Sequence, residues 1–320
     1  MTVALNNMPG DIRVPLFYAE VNAGPPPYSG LSRLILMGRK LTGSLLPALT
    51  PMNLGSVDPN ALAGKGSMLA DMIAFARWHN PTGEIWAMDV GDPAGGAAAT
   101  GTLTFTGPAS APGTLVRYIA GERYSCGVAL GDSATVIAAS FAAAVAKGYA
   151  KFNRRMGAPV AATAAAGVVT LTANHVGVEG NGIRIEAGLD GDEMDPAGVT
   201  VAIVAMANGT GTVDMAAALA ALGQTQFDWM TGPYGSAAQL NAARDFLSDS
   251  GSGRWSPTVG LDGHFITVNA GNLSAQTTLG ATRNDRHVSI LGVLNYPHPV
   301  CRSVRRSPAW WRSRRTSGAR

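Results

Sequence analysis

The sequence predicts an α/β protein whose core is interrupted by a smaller β-rich inserted domain and preceded by an extended N-terminal arm. Three observations carry this prediction: a strand–helix–strand order before Gly91, a shift to short strands after it, and a return of strand and helix alternation near residue 200. A strand, a helix and a second strand in one sheet form a parallel pair with a crossover. We therefore divide the 320 residues into five parts. These are an arm and linker (1–30), the first part of the α/β core (31–91), the inserted domain (92–200), the second part of the core (201–300) and a basic tail (301–320).

The first part of the core begins with an apolar strand over residues 32–38. A helix is predicted over 67–79, because Met68, Met72, Phe75 and Ala76 recur at helical spacing on one face. The Asn-Pro-Thr-Gly run at 80–83 ends that helix, and a second strand follows over 84–88.

In the inserted domain, residues 100–106 and 113–120 alternate as strands do, and further strands are predicted over 168–173 and 182–187. An alanine-rich helix is predicted over 132–148, with Asp132 or Ser133 as its N-cap. The second part of the core then alternates strands and helices, with strands over 199–206, 227–230, 264–268 and 287–291 and helices over 215–222 and 237–247.

Composition limits the class of protein. Hydrophobic residues make up 46% of the chain and charged residues only 14%, with 40 glycines. Such a chain suits a protein that buries surface against copies of itself, and equally an ordinary protein from a GC-rich genome. No run approaches the roughly 18 apolar residues of a membrane span, and the first residues lack a secretory pattern. Cys126 and Cys301 have no metal-ligand spacing, so we expect a soluble protein of a reducing compartment, without membrane insertion.

The net charge of +3 is unevenly distributed. Seven of the 24 basic residues lie in 301–320, where no acidic residue occurs, so the rest of the chain carries 17 basic against 21 acidic residues. A body with an acidic excess does not favour specific nucleic-acid binding.

The sequence has only incomplete matches to motifs for phosphate binding, metal binding or nucleophilic catalysis. The Gly-Lys-Gly-Ser run at 64–67 lacks the Ser or Thr after lysine that a phosphate-binding loop needs, so we interpret it as a helix entry. The acidic run at 190–195 departs from a calcium loop and is interpreted as a solvated turn, with a bound ion as the alternative. The five histidines lack metal-ligand spacing, and no serine lies in a nucleophile elbow. We therefore predict no catalytic, cofactor or metal site, although a Ser-His-Asp triad assembled by folding remains open.

The composition of residues 1–30 predicts an arm that adds to the sheet of a neighbouring subunit. Strand-forming side chains are frequent there, Pro15 disfavours a central strand, and prolines 25–27 form a stiff linker. The predicted subunit-linking residues are Asp11, Ile12, Val14, Leu16, Tyr18 and Val21.

Ten short stretches, in order and spacing, resemble the tail-sheath proteins of contractile phages, most closely the Mu-type branch. They are residues 11–15, 66–69, 80–81, 84–87, 99–102, 118–121, 180–181, 227–228, 233–234 and 253–256. The resemblance runs from about residue 10 to about residue 300.

The resemblance implies a structural protein and not an enzyme, with a sheath core described as subtilisin-like in fold. It implies homo-oligomers built as stacked hexameric rings around a tail tube protein, together with baseplate and tail terminator proteins. Contraction then drives the tube through the host envelope. The expected location is the virion tail, with the host cytoplasm during assembly, and the source is an infectious phage, a prophage or a bacteriocin-like particle. The alternatives are a hydrolase of α/β type and an adhesin-like binding module.

The tail departs from the resemblance, which implies a further helix and a C-terminal arm after residue 300. Residues 301–320 instead have no periodicity, no acid and two of the six tryptophans. Read in a shifted frame with GC-rich codons, Ser307 to Arg312 becomes Leu-Ala-Gly-Val-Val-Ala. We therefore predict a frameshift near 297–301, a disordered tail outside the core, and a chain that does not build a working sheath by itself; a genuine basic tail is the alternative.

Overall fold

A computed structural model describes residues 32–294 and 296–303. Its strands are β1 (Leu34–Gly38), β2 (Met52–Asn53), β3 (Ile85–Asp89), β4 (Ala98–Phe105), β5 (Gly113–Ile119), β6 (Glu122–Val128), β7 (Tyr149–Lys151), β8 (Arg154–Met156), β9 (Val160–Ala165), β10 (Val168–Val176), β11 (Ile185–Glu186), β12 (Val201–Ala207), β13 (Trp229–Thr231), β14 (His264–Ala270) and β15 (Val288–Val293). Its helices are α1 (Pro59–Ala63), α2 (Met68–His79), α3 (Ala134–Lys147), α4 (Met215–Ala220), α5 (Ala237–Phe246), α6 (Leu273–Thr282) and α7 (Val300–Ser303), with a 3₁₀ turn at Val178–Gly182.

The α/β part is organised on a six-stranded sheet with the order β15-β14-β13-β1-β3-β2. All neighbouring strands in it are parallel except β2, which pairs antiparallel with β3. The predicted parallel pair with a helical crossover is confirmed as β1 and β3, joined through α2. The strand β1 is buried at every position, as expected for a parallel strand covered on both faces.

Helix α2 begins where the sequence predicts and is stabilised at both ends. The Ser67 hydroxyl accepts a hydrogen bond from the backbone N–H of Ala70, and Asn80 is the C-cap. Leu69 and Ile73 are fully buried together with the predicted Met72. The buried face of helix α2 is therefore wider than the single row of residues at helical spacing, because α2 packs against β1 and β3 and also against α7.

Residues between 98 and 207 form three further sheets that share no strand with the six-stranded sheet. Their strand orders are β12-β4-β10-β9, β11-β5-β6 and β7-β8. Helix α3 packs on β6, β9 and β10 and contributes the buried Phe141 to a core that includes Phe105 and Leu171. The described residues from Ser32 onward nevertheless form one compact unit, and the division into a core and an inserted domain stays a prediction.

Two sequence expectations need correction. The strand predicted over 199–206 was assigned to the second part of the core, whereas β12 pairs antiparallel with β4 in the β-rich region. The chain returns to the six-stranded sheet only at β13, and the domain boundary at residue 200 stays a prediction. The strand predicted over 182–187 is reduced to Ile185–Glu186, because Val178–Gly182 forms a 3₁₀ turn just before it.

The expectation that all of 301–320 stays outside the core is also wrong at its start. Cys301 and Arg302 lie in α7 and are 5% and 2% exposed. Burial of an arginine is costly unless it is paired, and Arg302 is paired with several groups described below. Residues 304–320 lie outside the described part of the chain, so the frame of the tail stays a prediction.

Candidate functional site

The predicted subunit-linking residues are not part of the described structure. Asp11, Ile12, Val14, Leu16, Tyr18 and Val21 all lie within residues 1–31, outside the described range. Their role in joining subunits stays a prediction.

One edge of the six-stranded sheet is open among the described residues. Among the described residues, β15 pairs only with β14, so its outer edge carries backbone groups without a strand partner. Leu291 and Leu294 beside this edge are 42% and 51% exposed, and no residue of the neighbouring α6 is buried. A groove of about 350 Å³ separates α6 from β15 and is lined by Leu279, Ile290 and other residues. An exposed, apolar edge strand is the type of surface that accepts an added strand.

A buried arginine joins the two parts of the fold. Arg302 in α7 donates from Nε to Asp71 Oδ2 in α2 at 2.7 Å, and its Nη atoms donate to Glu122 in β6 and to the Tyr149 hydroxyl in β7. Burial lowers the pKa of Arg302, but the charge of Asp71 and the other partners more than offsets it, so the pKa is raised. The guanidinium therefore stays charged and holds helix α2 against the β-rich region.

A second buried arginine, Arg39, lies just after β1 and reaches the same region. It donates to the backbone oxygen of Val176 and pairs with Glu179 at 3.0 Å, while being 1% exposed. Nearby, His175 Nε2 accepts from the backbone N–H of Met68 at 3.0 Å. Burial, together with the charge of Arg39, lowers the pKa of His175 to about 3, so the imidazole is neutral and acts as an acceptor at neutral pH.

Sequence reasoning missed both arginines. Arg302 fell in the segment interpreted as an exposed basic tail, and Arg39 carried no motif. Their partners lie in elements far along the chain, and no local pattern marks such pairs. The available signal was an arginine following a wholly apolar strand at residues 34–38.

The glycine-rich run at 64–67 and the acidic run at 190–195 are both held by hydrogen bonds or ion pairs to other parts of the chain. The Gly-Lys-Gly-Ser run enters α2 as predicted, and the N–H groups of Met68 and Ala70 are taken by His175 and Ser67. In the acidic turn, Glu193 pairs with Arg123 at 2.6 Å and Asp195 binds Arg117 through two hydrogen bonds of 2.7 Å. Within residues 32–294 and 296–303, no group of three His, Cys, Asp or Glu side chains is placed to hold a metal ion.

One cluster brings serine, histidine and aspartate near each other without forming a triad. His264 Nε2 and Ser289 Oγ are 2.8 Å apart, whereas Asp249 Oδ1 bonds a different imidazole, that of His287, at 2.6 Å. Trp255 stacks on His287 with ring centroids 4.2 Å apart. A relay through one histidine, which a serine nucleophile requires, is not formed by these groups.

In the described part of the chain, no helix is long and apolar enough to cross a membrane.

Comparisons with known proteins agree with the resemblance stated from the sequence. No family model matches the chain. The chain is similar in sequence to a phage tail sheath protein. The relative that shows this is the Mu-like prophage FluMu tail sheath protein of Haemophilus influenzae, which is 32% identical over 306 residues. The alignment covers 94% of this chain, and the chain spans 60% of the relative's length.

A similar solved structure is the sheath tail protein of Listeria innocua, which is 11% identical. The match covers 78% of this chain and 49% of that chain with a TM-score of 0.29. The subtilisin-like description of the core therefore stays a prediction.

Proposed function

We propose that this chain is a structural subunit of a contractile tail sheath, assembling as stacked hexameric rings around a tail tube and contracting to drive the tube through the host envelope. The observation that carries the proposal is the 32% identity to a phage tail sheath protein over 94% of the chain. The partners proposed on this basis are further copies of the chain, the tube protein, and the baseplate and tail terminator proteins. The proposed location is the virion tail, after assembly in the host cytoplasm.

The proposed link between subunits is addition of the N-terminal arm to a neighbour's sheet. The arm residues Asp11, Ile12, Val14, Leu16, Tyr18 and Val21 are the proposed contacts. The open edge of β15 supports this link, because main-chain hydrogen bonds to an edge strand depend little on side-chain identity. Links of this kind persist while the rigid bodies that they join rotate, which contraction requires.

The test is to image the chain with its matching tube protein by negative-stain electron microscopy, beside a version in which the predicted downstream reading frame is restored. We expect the restored version to form regular sheaths around tubes and the 320-residue chain not to do so. Regular, contracting sheaths from the 320-residue chain contradict the predicted frameshift. The absence of ordered particles from both versions contradicts the proposed function.

A structural role, rather than catalysis, is part of the proposal and rests on the relative's name. The α/β-hydrolase alternative predicts covalent labelling by a fluorophosphonate probe. Labelling that is lost in Ser289→Ala, the serine hydrogen-bonded to His264, favours the hydrolase; an unlabelled folded chain favours the sheath role.

A further inference from the structure

A hairpin on the surface of the β-rich region presents aromatic and basic side chains together. We call this surface the basic hairpin patch and define it by Trp78, Lys151, Phe152, Arg154 and Arg155. Phe152 lies at the turn between β7 and β8, and its ring is 5.0 Å from that of Trp78 in α2. Trp78 is 55% exposed, and Arg154 and Arg155 are also exposed; Arg154 pairs with Asp58 at 2.9 Å, and both side chains of this pair remain open to solvent. Tryptophan and arginine are the residue types most enriched at the energetic centres of protein interfaces.

The turn itself holds the aromatic residue in place. Phe152 and Asn153 have φ values of 55° and 57°, the left-handed region that a type I′ hairpin turn requires at both central positions. Asn is common there, whereas a bulky aromatic residue is rare and strained. The Phe152 ring also packs edge-on against Phe75 at 4.5 Å. This packing compensates for the strain and fixes the aromatic side chain beside the basic ones.

An acidic counterpart lies on another surface of the same chain. We call it the acidic loop and define it by Leu189, Asp190, Asp192 and Met194. Leu189 and Met194 are 60% and 78% exposed, and both aspartates are exposed. Among the described residues, neither aspartate forms an ion pair. Lys151 and Arg154 of the basic hairpin patch pair with Glu122 and Asp58 of their own chain, and no ion pair of Arg155 is seen among the described residues. The acidic loop therefore complements the basic hairpin patch through Arg155, the solvent-exposed Arg154 and the exposed apolar surface of both.

The two surfaces lie on opposite faces of the β5–β6 pair. Glu122 and Arg123 are consecutive in β6, and successive strand side chains point to opposite faces. Glu122 pairs with Lys151 of the basic hairpin patch, whereas Arg123 pairs with Glu193 beside the acidic loop. The buried side chains of β6, which are Tyr124, Cys126 and Val128, lie on the Glu122 face. Because opposite faces of one sheet cannot meet within a chain, the match is available only between two copies.

We propose that copies of this chain pair head to tail, with the basic hairpin patch of one copy against the acidic loop of the next. A contact between two different surfaces of identical subunits closes into rings or propagates as helical stacks. The proposal rests on the homo-oligomeric role proposed above and names the surfaces that would carry it. It is separate from the N-terminal arm, which would join subunits through the sheet edge at β15.

The test is sedimentation velocity of the full chain and of two charge-reversal variants that change the same number of charges. Asp190→Lys with Asp192→Lys reverses the acidic loop, and Arg154→Glu with Arg155→Glu reverses the patch. Each variant alone should weaken self-association at least tenfold, because like charges then face each other. An equimolar mixture should restore association, since every contact in an alternating stack again joins opposite charges.

Controls separate this contact from net charge and from the proposed function. Two control variants make the same changes in charge at exposed positions elsewhere and should leave association unchanged. One is the double variant Asp245→Lys, Asp262→Lys, and the other is the double variant Arg244→Glu, Arg286→Glu. Unfolding transitions near that of the wild type show that each variant folds. Self-association that both reversals leave intact, or a wild-type chain that stays monomeric, overturns the proposal. Neither result bears on sheath formation through the arms, which imaging with the tube protein tests independently.

Discussion

Replacement of Arg302 by alanine tests the buried link between helix α2 and the β-rich region. The Arg302 side chain is 2% exposed, and those of its partners Asp71 and Glu122 are 14% and 12% exposed. Removing one member of a buried ion pair costs about 3–5 kcal/mol, since the remaining charge is left buried without its partner. Lys151 still pairs with Glu122, and the Tyr149 hydroxyl still donates to Asp71, so we expect the lower part of that range.

The expected loss of about 3 kcal/mol corresponds to a fall in Tm of about 4–5 °C for a chain of this size. Thermal unfolding followed by circular dichroism measures it, with Arg244→Ala as the matched control. Arg244 pairs with Asp245 at the surface, where the two side chains are 52% and 68% exposed, and such a pair contributes at most about 1 kcal/mol. A Tm for Arg302→Ala equal to that of the control refutes the assignment of Arg302 to a buried network.

Two further predictions concern the start of α2. Ser67→Ala removes the N-cap hydrogen bond from the backbone N–H of Ala70 and should lower the free energy of unfolding in urea by about 1–2 kcal/mol. The control Ser133→Ala changes an N-cap without a side-chain hydrogen bond and should lower it much less. Equal losses in the two variants contradict the assigned cap. His175 has a folded pKa of about 3, far below its unfolded value, so only the unfolded state binds its proton between about pH 6.5 and pH 3. Stability should therefore fall with decreasing pH in that window, by up to about 1.4 kcal/mol per pH unit. His175→Gln, which keeps an acceptor for Met68, should lose this part of the slope, and an unchanged slope would show that the imidazole is not buried in neutral form.

The sequence predicts elements whose signals are local. Helix α2 has apolar residues at helical spacing, a serine cap and a terminating Asn-Pro, and the structure places it within one residue of the expected start. The strands β1 and β3 are short apolar runs beside it, and their parallel pairing follows from the crossover alone.

Features that depend on distant residues were not predictable in this way. The apolar pattern of β12 suits either sheet, and only its pairing with β4, about 100 residues earlier, places it in the β-rich region. Arginine is usually exposed, so nothing local marks Arg302 as buried; its burial depends on Asp71, Glu122 and Tyr149 converging from three separate elements. The basic hairpin patch likewise joins Trp78 to a turn 74 residues later.

The central proposal is that this chain, with the predicted downstream reading frame restored, is a subunit of a sheath around a tail tube. Electron cryomicroscopy of the chain with the predicted downstream reading frame restored, polymerised with its tube protein, tests it most directly. The account predicts hexameric rings of the chain stacked around a central tube. Polymers that exclude the tube, or a chain that remains unassembled beside well-formed tubes, would contradict it.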